Sequence, residues 1–458
     1  METGFNQVEV DNFARDYGFH YDCCDSAVLV QDFRIAMERG LAGQSSSLPM
    51  LPTHLSPGWR IATGKKAVAL DAGGTNLRAA RISFDEGGRP VVEAERATRM
   101  PGSNGPLSAA EFFSALAGFC EPLFDGNGVD GIGFCFSYPM EMSPDGDGLP
   151  LAFCKEVELP ELVGRPIGKG LCEALARRHI KTPSRVVLLN DTVSTLLCGL
   201  SQIPMSFPSK FALIGEAVPQ KMTAEAGPAI GLILGTGFNI AYCETSIPKI
   251  NFESKTEPQI VVCEAGTFSF RYRGILDLEF DAGTKNPGTF SAEKATAGAY
   301  LGPLSLHILK RAVKDGILRF KRSAELLAME RLATKDLNTL LQAPLSLASP
   351  LGCLFDRDEA GALKTLLYIE SILTERAALT AASMLAAVIE HCGAARDPVA
   401  PVRIAVEGTT FSLYHFLEEA LRARFHSIVN ASGPRFCLME PVKQASLFGA
   451  AAAALMVQ

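Results

Sequence analysis

The sequence predicts an α/β fold built from two related halves. Short, fully apolar strands alternate with helices along the chain. A strand, a Gly-Thr-Asn turn and a second strand occur twice, in different letters. The chain has 458 residues, 47% hydrophobic and 20% charged, which is core enough for two or three domain-sized units.

In order, the segment before Lys66 reads as a helical lead around Ser26–Gly40, then a Ser/Pro-rich loop through Met50-Leu51-Pro52-Thr53. Ala67–Leu70 and Leu77–Phe84 are short apolar strands. Ser108 and Glu111 form a capping box opening a helix through Phe119. Gly131–Phe136 is a buried strand, Gly168–His179 a helix and Val186–Leu189 another buried strand. Ile230–Leu234 and Ile240–Glu244 repeat the strand pair of the first half. Helices over Ala292–Lys314 and Glu359–His391, a strand over Val402–Val406 and a last helix from Ala445 complete the chain.

The composition excludes several classes. Net charge is −7 and the charges are scattered, so no basic face is offered to nucleic acid or an anionic membrane. The apolar runs Ala381–Ile389 and Gly449–Met456 are far short of the roughly 20 residues that span a bilayer. Met1–Val10 carries acids and polar residues rather than a basic start and an apolar stretch, so no signal peptide is expected. The expected location is cytoplasmic. Asn190-Asp191-Thr192 and Asn430-Ala431-Ser432 then carry no weight as glycosylation sites. Of the 12 cysteines only Cys23 and Cys24 are close in sequence, and no CxxC or HxxxH pair exists. Zinc is not expected, and the thiols read as small buried hydrophobes. Oligomeric state is left open.

Two short matches are discarded. Gly126-Asn127-Gly128-Val129-Asp130-Gly131 fits GxGxxG but precedes a strand, so it is a loop. Gly164–Gly170 lacks the spacing and the Ser/Thr of a P-loop. The turn Asp71-Ala72-Gly73-Gly74-Thr75-Asn76 is different. Its glycines free successive N–H groups to face an anion, Thr75 adds a hydroxyl and Arg78 adds charge. Asp71 stands where it could hold the water shell of magnesium. An ordinary hairpin turn explains the same letters. Gly235-Thr236-Gly237-Phe238-Asn239 repeats the pattern. Glu407-Gly408-Thr409-Thr410 follows a strand and opens a helix, aiming N–H groups at a phosphate or ribose. Three such turns at strand ends are harder to dismiss than one. Asn190-Asp191-Thr192 ends an apolar strand, where catalytic carboxylates sit in α/β folds. It equally suits the N-cap of the following helix.

With Phe136-Ser137-Tyr138-Pro139, Asn286-Pro287-Gly288 and Glu293-Lys294 added, these motifs resemble the hexokinase/glucokinase family in order and spacing. Met50-Leu51-Pro52-Thr53 and Gly449-Ala450-Ala451 extend the resemblance from about residue 20 to the C-terminus. The wider sugar-kinase, actin and heat-shock superfamily shares the phosphate turns but not this combination. The resemblance implies two ribonuclease-H-like (actin-like) α/β domains around a deep cleft. The implied units are an N-terminal segment 1–65 on the large domain, a small domain 66–201, a large domain 202–440 and a C-terminal helix 441–458 returning to the small domain. It also implies phosphorylation of the 6-hydroxyl of glucose or a similar hexose by MgATP. Asp191 would be the general base, with Lys155 beside it in catalysis. Ser137, Tyr138, Cys154, Lys155, Asn190, Asp191, Asn239, Glu264 and Glu293 would contact the sugar. Asp71, Gly73, Gly74, Thr75, Asn76, Arg78, Gly235, Thr236, Gly408, Thr409 and Thr410 would hold ATP. Magnesium would be held mainly by phosphates and water, with no direct protein ligand. Hexose and ATP are the implied partners, without nucleic acid or membrane insertion.

The chemistry agrees, because a sugar hydroxyl needs a carboxylate to take its proton during phosphoryl transfer. Carboxylates such as Glu264 and Glu293 suit neighbouring hydroxyls of a polyol. Four departures from the family pattern stand out. Phe153-Cys154-Lys155 replaces the usual Trp-Thr-Lys, and Val262-Cys263-Glu264-Ala265 replaces Asn-Thr-Glu-Trp. Thr334-Lys335-Asp336-Leu337-Asn338 replaces Thr-Lys-x-x-Ser, and Gln444-Ala445-Ser446-Leu447 replaces Asp-Gly-Ser-Gly. They bear on which hexose is preferred more than on the reaction. The alternatives are a kinase for fructose, mannose or an amino sugar, and a catalytically weak sugar sensor on the same fold.

Overall fold

The structure, a computed structural model, describes residues 4–56, 60–73, 76–124, 128–138, 140–151, 153, 159–202, 229–250 and 258–457. Two helices lead. Helix α1 (Gln7–Asp16) is capped by Asn6, whose side chain accepts from Glu9 N, and α2 (Ser26–Leu41) is capped by Asp25. Sequence patterning missed α1, which shows the core only Val10, Phe13 and Ala14.

The first sheet comprises β1 (Lys66–Gly73), β2 (Asn76–Phe84), β3 (Pro90–Arg99), β4 (Gly131–Phe136) and β5 (Val186–Leu189). Its order is β3-β2-β1-β4-β5, with β1, β2 and β3 antiparallel and β1, β4 and β5 parallel. Strand β3 was not expected, because most of its side chains are exposed, with no buried apolar face, and it lies at the sheet edge. Helices α3 (Ala109–Cys120), opened by the Ser108/Glu111 capping box, and α4 (Ile167–Arg177) cover one face.

The second sheet comprises β6 (Ala229–Leu234), β7 (Phe238–Glu244), β8 (Gln259–Val262), β9 (Val402–Glu407) and β10 (Cys437–Pro441), with Leu51–Pro52 at its edge beside β8. Strands β6 and β7 form a hairpin, and β6, β9 and β10 run parallel. The two sheets therefore share a plan: a hairpin with a glycine turn, then parallel strands beside its first strand. This is the two-domain actin-like architecture.

Helices follow β8 in a thick layer: α6 (Ile275–Ala282), α7 (Ser291–Thr296), α8 (Gly298–Lys314), α9 (Ser323–Ala328), α10 (Thr334–Gln342) and α11 (Ala360–His391). Helix α11 is long and apolar enough to cross a bilayer, but the apolar window is 94% buried inside the protein, as a core helix would be. The helix expected over Ala292–Lys314 is broken at Ala297, which is extended (φ −88°, ψ 152°). The break frees Gly298 N to bond Gly235 O (2.8 Å) and Ala299 N to bond Thr236 O (3.1 Å). The chain ends with α12 (Thr409–Leu413), α13 (Leu417–Val429) and α14 (Ala445–Leu455).

Helix α14 and α5 (Asp191–Gln202) lie between the two sheets, in a core cluster fed by both. Small residues bring α14 close. A Cβ on Gly131 would fall 2.6 Å from Ala454 O, and one on Gly133 would overlap Ala450 O. Likewise Gly449 lies against Ser194 O of α5.

Inside the helical layer, Ser305 of α8 donates to Glu370 of α11, which is fully buried, and Glu370 Oε2 has no hydrogen-bond partner. Burial pushes the Glu370 carboxyl up to about 8. The folded protein keeps that proton over a range in which the unfolded chain, ionising near 4.5, has released it. Stability from the neutral carboxyl is thus complete below pH 4.5 and is lost as pH rises through 8, at no more than about 1.4 kcal/mol per pH unit. Glu370→Gln cannot ionise. Its melting temperature should gain on wild type steadily between pH 5 and 8.5, and parallel curves would refute the burial argument.

Candidate active site

The cleft is built where strand ends of both sheets meet α5 and α7. Helix α5 starts abruptly because Asn190 caps it: Val193 N donates to Asn190 Oδ1 at 2.9 Å. Asp191 is therefore the first helical residue, not the cap, and its half-buried carboxylate accepts from Thr192 Oγ1 at 3.1 Å. On the first sheet, Asp71 faces Arg78 across the β1/β2 hairpin, with Oδ2 2.6 Å from Nη2 and 3.1 Å from Nε. Asn76 is exposed at the turn, and Gly73 leaves room beside Ser137, whose Oγ would be 3.9 Å from an added Cβ. Behind Ser137, the rings of Phe136, Tyr138 and Phe153 pack together with centroids 4.9–6.2 Å apart. Gly74, Thr75, Cys154 and Lys155 lie outside the described residues.

On the second sheet, three turns knot together. Thr410 Oγ1 donates to Gly235 O at 2.8 Å, and Gly298 N donates to the same oxygen. A side chain on Gly298 would strike Thr410 Oγ1, and one on Gly408 (φ +138°) would strike Leu234 O. Glycine is required here to let three backbones converge. Thr410 is buried and its hydroxyl links the turns, whereas Thr236 and Thr409 are exposed. This leaves a cradle bounded by the start of α8, the β6/β7 turn and the end of β9.

The carboxylates are held individually. Asn239 Nδ2 donates to Glu264 Oε1 (3.1 Å), while its Oδ1 accepts from Ile240 N and Ala265 N. Asn239 thus orients Glu264 in addition to any ligand it meets. Glu264 itself sits in the left-handed region (φ +56°), a conformation that costs a non-glycine residue about 1–3 kcal/mol. Glu293 Oε2 accepts from Phe238 N at 3.1 Å. Gly237 and Gly266 flank that oxygen: a Cβ on either would lie 2.9–3.0 Å away. Lys294 points the other way, buried against Asp281, Thr284 Oγ1 (2.9 Å) and Asn286 O (2.7 Å), so it anchors the Asn286-Pro287-Gly288 loop.

Electrostatics show that these groups share one space. Burial, then the charge of Asp191 and that of Glu293, push Glu264 up to about 7 despite the Asn239 bond. Glu407, at the end of β9, is likewise pushed up to about 7 by burial, Asp191 and Asp71, against Thr195 and Arg78. The charge of Asp191 therefore reaches both Glu264, which also feels Glu293, and Glu407, which also feels Asp71 and Arg78. Sequence reasoning quoted Glu407 within a motif but gave it no role. Nothing in one sequence separates it from an ordinary strand-end glutamate.

Of the departures, Val262 is buried in the core cluster between the sheets and offers nothing to a ligand. Asn338 ties α10 to the segment after α12: its Nδ2 donates to Leu413 O (2.9 Å) and His415 N donates to its Oδ1 (2.8 Å).

Two family models, both described as hexokinase, match residues 10–200 and 229–456. The chain belongs to the hexokinase family. Among curated hexokinases, hexokinase-3 of Mus musculus is 27% identical over 408 residues, covering 85% of this chain and 41% of its own length. The hexokinase of Kluyveromyces lactis is 25% identical over 441 residues, covering 88% of this chain and 82% of its own. The chain thus spans about half the length of the mammalian hexokinases it matches, such as 46% for hexokinase-2 of Equus caballus. Among solved structures, the hexokinase of Schistosoma mansoni complexed with glucose superposes with a TM-score of 0.71 at 22% identity, over 98% of both chains.

The Gly266–Glu293 packing generates a test. Gly266→Ala should destabilise by about 1–3 kcal/mol, as overpacking does, read as a lower melting temperature. The penalty should shrink in a Glu293→Ala background, because the Glu293 Oε2 contact, one of three, is then gone. An unchanged penalty would place the strain at Phe238 O or at the Glu293 Cβ that alanine keeps, which lie 3.0 and 3.2 Å from the added Cβ.

Proposed function

We propose that this chain is an ATP-dependent hexose kinase, transferring the γ-phosphoryl group of MgATP to the 6-hydroxyl of glucose or a related hexose. One observation carries the reading: Asp191 shares its field with the polyol-suited Glu264 and is linked through Thr195 to Glu407, the residue before the glycine cradle suited to phosphates. In this reading the sugar lies against Ser137, Asn190, Glu264 and Glu293, with Cys154, Lys155 and Tyr138 completing its site. The triphosphate meets the turns at Gly73–Asn76, Gly235-Thr236 and Gly408-Thr409, near Arg78. As the O6–P bond forms and the bond from phosphorus to the ADP oxygen breaks, the O6 proton passes to Asp191. Magnesium supplies positive charge to the phosphates. The carboxylates of Asp71 and Asp191, with Arg78 as their neighbouring cation, suit such an ion held through phosphates and water. Sugar groups come from both halves, so binding draws the domains together and excludes water. The described cysteines are free thiols, which fits a reducing, cytoplasmic setting, also part of this proposal.

A coupled assay of a hexose panel with MgATP tests the reaction. Phosphorylated product is expected from at least one hexose, and Asp191→Asn should lower kcat by about 10²–10⁴ with much smaller loss of hexose binding. A variant with near-normal turnover would remove Asp191 from the role. A panel with binding but no turnover by wild type would favour the sensor.

Glu264 adds a pH signature. Its carboxyl carries a proton below about 7 and accepts fully from sugar hydroxyls only above that. Hexose affinity, measured by calorimetry from pH 5.5 to 8.5, should therefore rise through pH 7. Glu264→Gln should bind more weakly above pH 7 and show a flat profile. A rise that persists in the variant would assign it elsewhere.

A further inference from the structure

Glu407 lies one residue before the nucleotide cradle, yet its side chain turns toward the helix that carries Asp191. Thr195, one turn along α5 and fully buried, makes the connection. Its Oγ1 is 2.9 Å from Asp191 O and 3.2 Å from Glu407 Oε2. A threonine hydroxyl has one proton and can donate to only one of these oxygens at a time. Both contacts are hydrogen bonds together only when Glu407 itself donates. The chain then runs from the Glu407 carboxyl to Thr195 Oγ1, and from Thr195 to the Asp191 carbonyl. On its other side, Glu407 continues into Gly408, whose backbone is pressed against Leu234 O and Gly235 N.

We infer that Glu407 is a positioning residue which, through Thr195, fixes the first turn of α5, and with it Asp191, against the nucleotide cradle. It touches no reacting atom. The charged groups that face it are Asp191 from α5, and Asp71 and Arg78 from the β1/β2 hairpin. Burial and the two aspartates favour the protonated form, with Thr195 and Arg78 opposing, so near neutral pH the complete hydrogen-bond chain is populated. The connection has a geometric purpose under the kinase reading. Asp191 belongs to the sugar side and the cradle to the phosphate side, and in-line transfer tolerates little error between them. A misplacement of about 1 Å can cost on the order of 10²-fold in rate.

The turnover part of the test rests on the kinase reading, and the exchange part does not. Thr195→Val keeps the shape and deletes the hydroxyl, and Glu407→Ala deletes the carboxyl. Thr195→Ser and Glu407→Gln preserve the donors, since the amide of Gln donates permanently to Thr195. With glucose and MgATP, or whichever hexose the panel selects, Thr195→Val and Glu407→Ala should lower kcat about 10–100-fold. KM for the hexose should stay within about threefold, and Ser and Gln should recover most of the rate. Amide hydrogen exchange over Asp191–Leu196 should accelerate about tenfold or more in Thr195→Val and Glu407→Ala, but not in the conservative pair. If Glu407→Gln falls as far as Glu407→Ala, or Thr195→Val leaves exchange and turnover unchanged, the inference is overturned. A wild type that phosphorylates no hexose overturns the kinase reading alone, and the exchange comparison still decides the positioning role. Should Glu407→Ala not fold, Thr195→Val against Thr195→Ser makes the same decision.

Discussion

Like charges crowded into a poorly hydrated cleft repel, and the structure around this one is organised to hold them there. Asp71, Asp191, Glu264, Glu293 and Glu407 approach one another from strands and helices of both sheets. Each has a dedicated restraint. Arg78 grips Asp71, Thr192 contacts Asp191, Asn239 donates to Glu264, Phe238 N donates to Glu293 and Thr195 meets Glu407. Burial first, and then the repulsion that these bonds reduce without removing, keep protons on Glu264 and Glu407 to about pH 7. A site poised in this way gains from whatever brings donors and positive charge. A polyol brings hydroxyls and a metal–nucleotide complex brings the cation, so the electrostatic stress and the proposed substrates are complementary.

Holding carboxylates from two sheets in one place requires a shared rigid element between them. Helices α5 and α14 provide it. Small residues make the contacts: Gly449 of α14 against Ser194 O of α5, and the alanine run of α14 on Gly131 and Gly133 of β4. Backbones in such close approach admit little sideways repacking, while the flanking sheets remain joined through few elements. A movement of one sheet relative to the other would then be taken up around α5, whose first residue is Asp191.

Much of this was legible in the sequence. Gly131–Phe136 and Val186–Leu189 are strands as read, because a strand buried on both faces is a continuous apolar run with sharp ends. The last helix begins at Ala445 as expected. The same logic hides β3, an exposed edge strand that pairs with β2 and buries no apolar face. It also hides the break at Ala297, since periodicity runs through it. The cause is a long-range bond from Gly298 N to Gly235 O that no local pattern records. The triplet Asn190-Asp191-Thr192 shows that a cap is available but not which residue makes it, because Asn190 and Asp191 are both good capping residues and only geometry chooses Asn190.

The same ambiguity governs the site. Residue types that recognise a sugar are also those that restrain a carboxylate, so a sequence shows Asn239 and Thr410 as polar groups in the right motifs and no more. In the structure both serve the scaffold: Asn239 pins Glu264 and the Ala265 amide, and Thr410 binds one turn to another. A mutation at either position would therefore act through the placement of its neighbours even if the side chain never met a ligand. The converse holds for Val262, which a family pattern places next to the sugar and the fold buries between two sheets. Losing an amide there removes a polar group from the cleft wall without opening space, since the valine packs into the core. In the proposed reading, recognition of the sugar would then lean more heavily on Glu264 and Glu293. Carboxylates accept from many hydroxyl arrangements, whereas an amide fixes both a donor and an acceptor direction. Under the kinase reading proposed above, a site that relies on carboxylates is held together by charge more than by pattern, and its choice among epimers would be correspondingly broad.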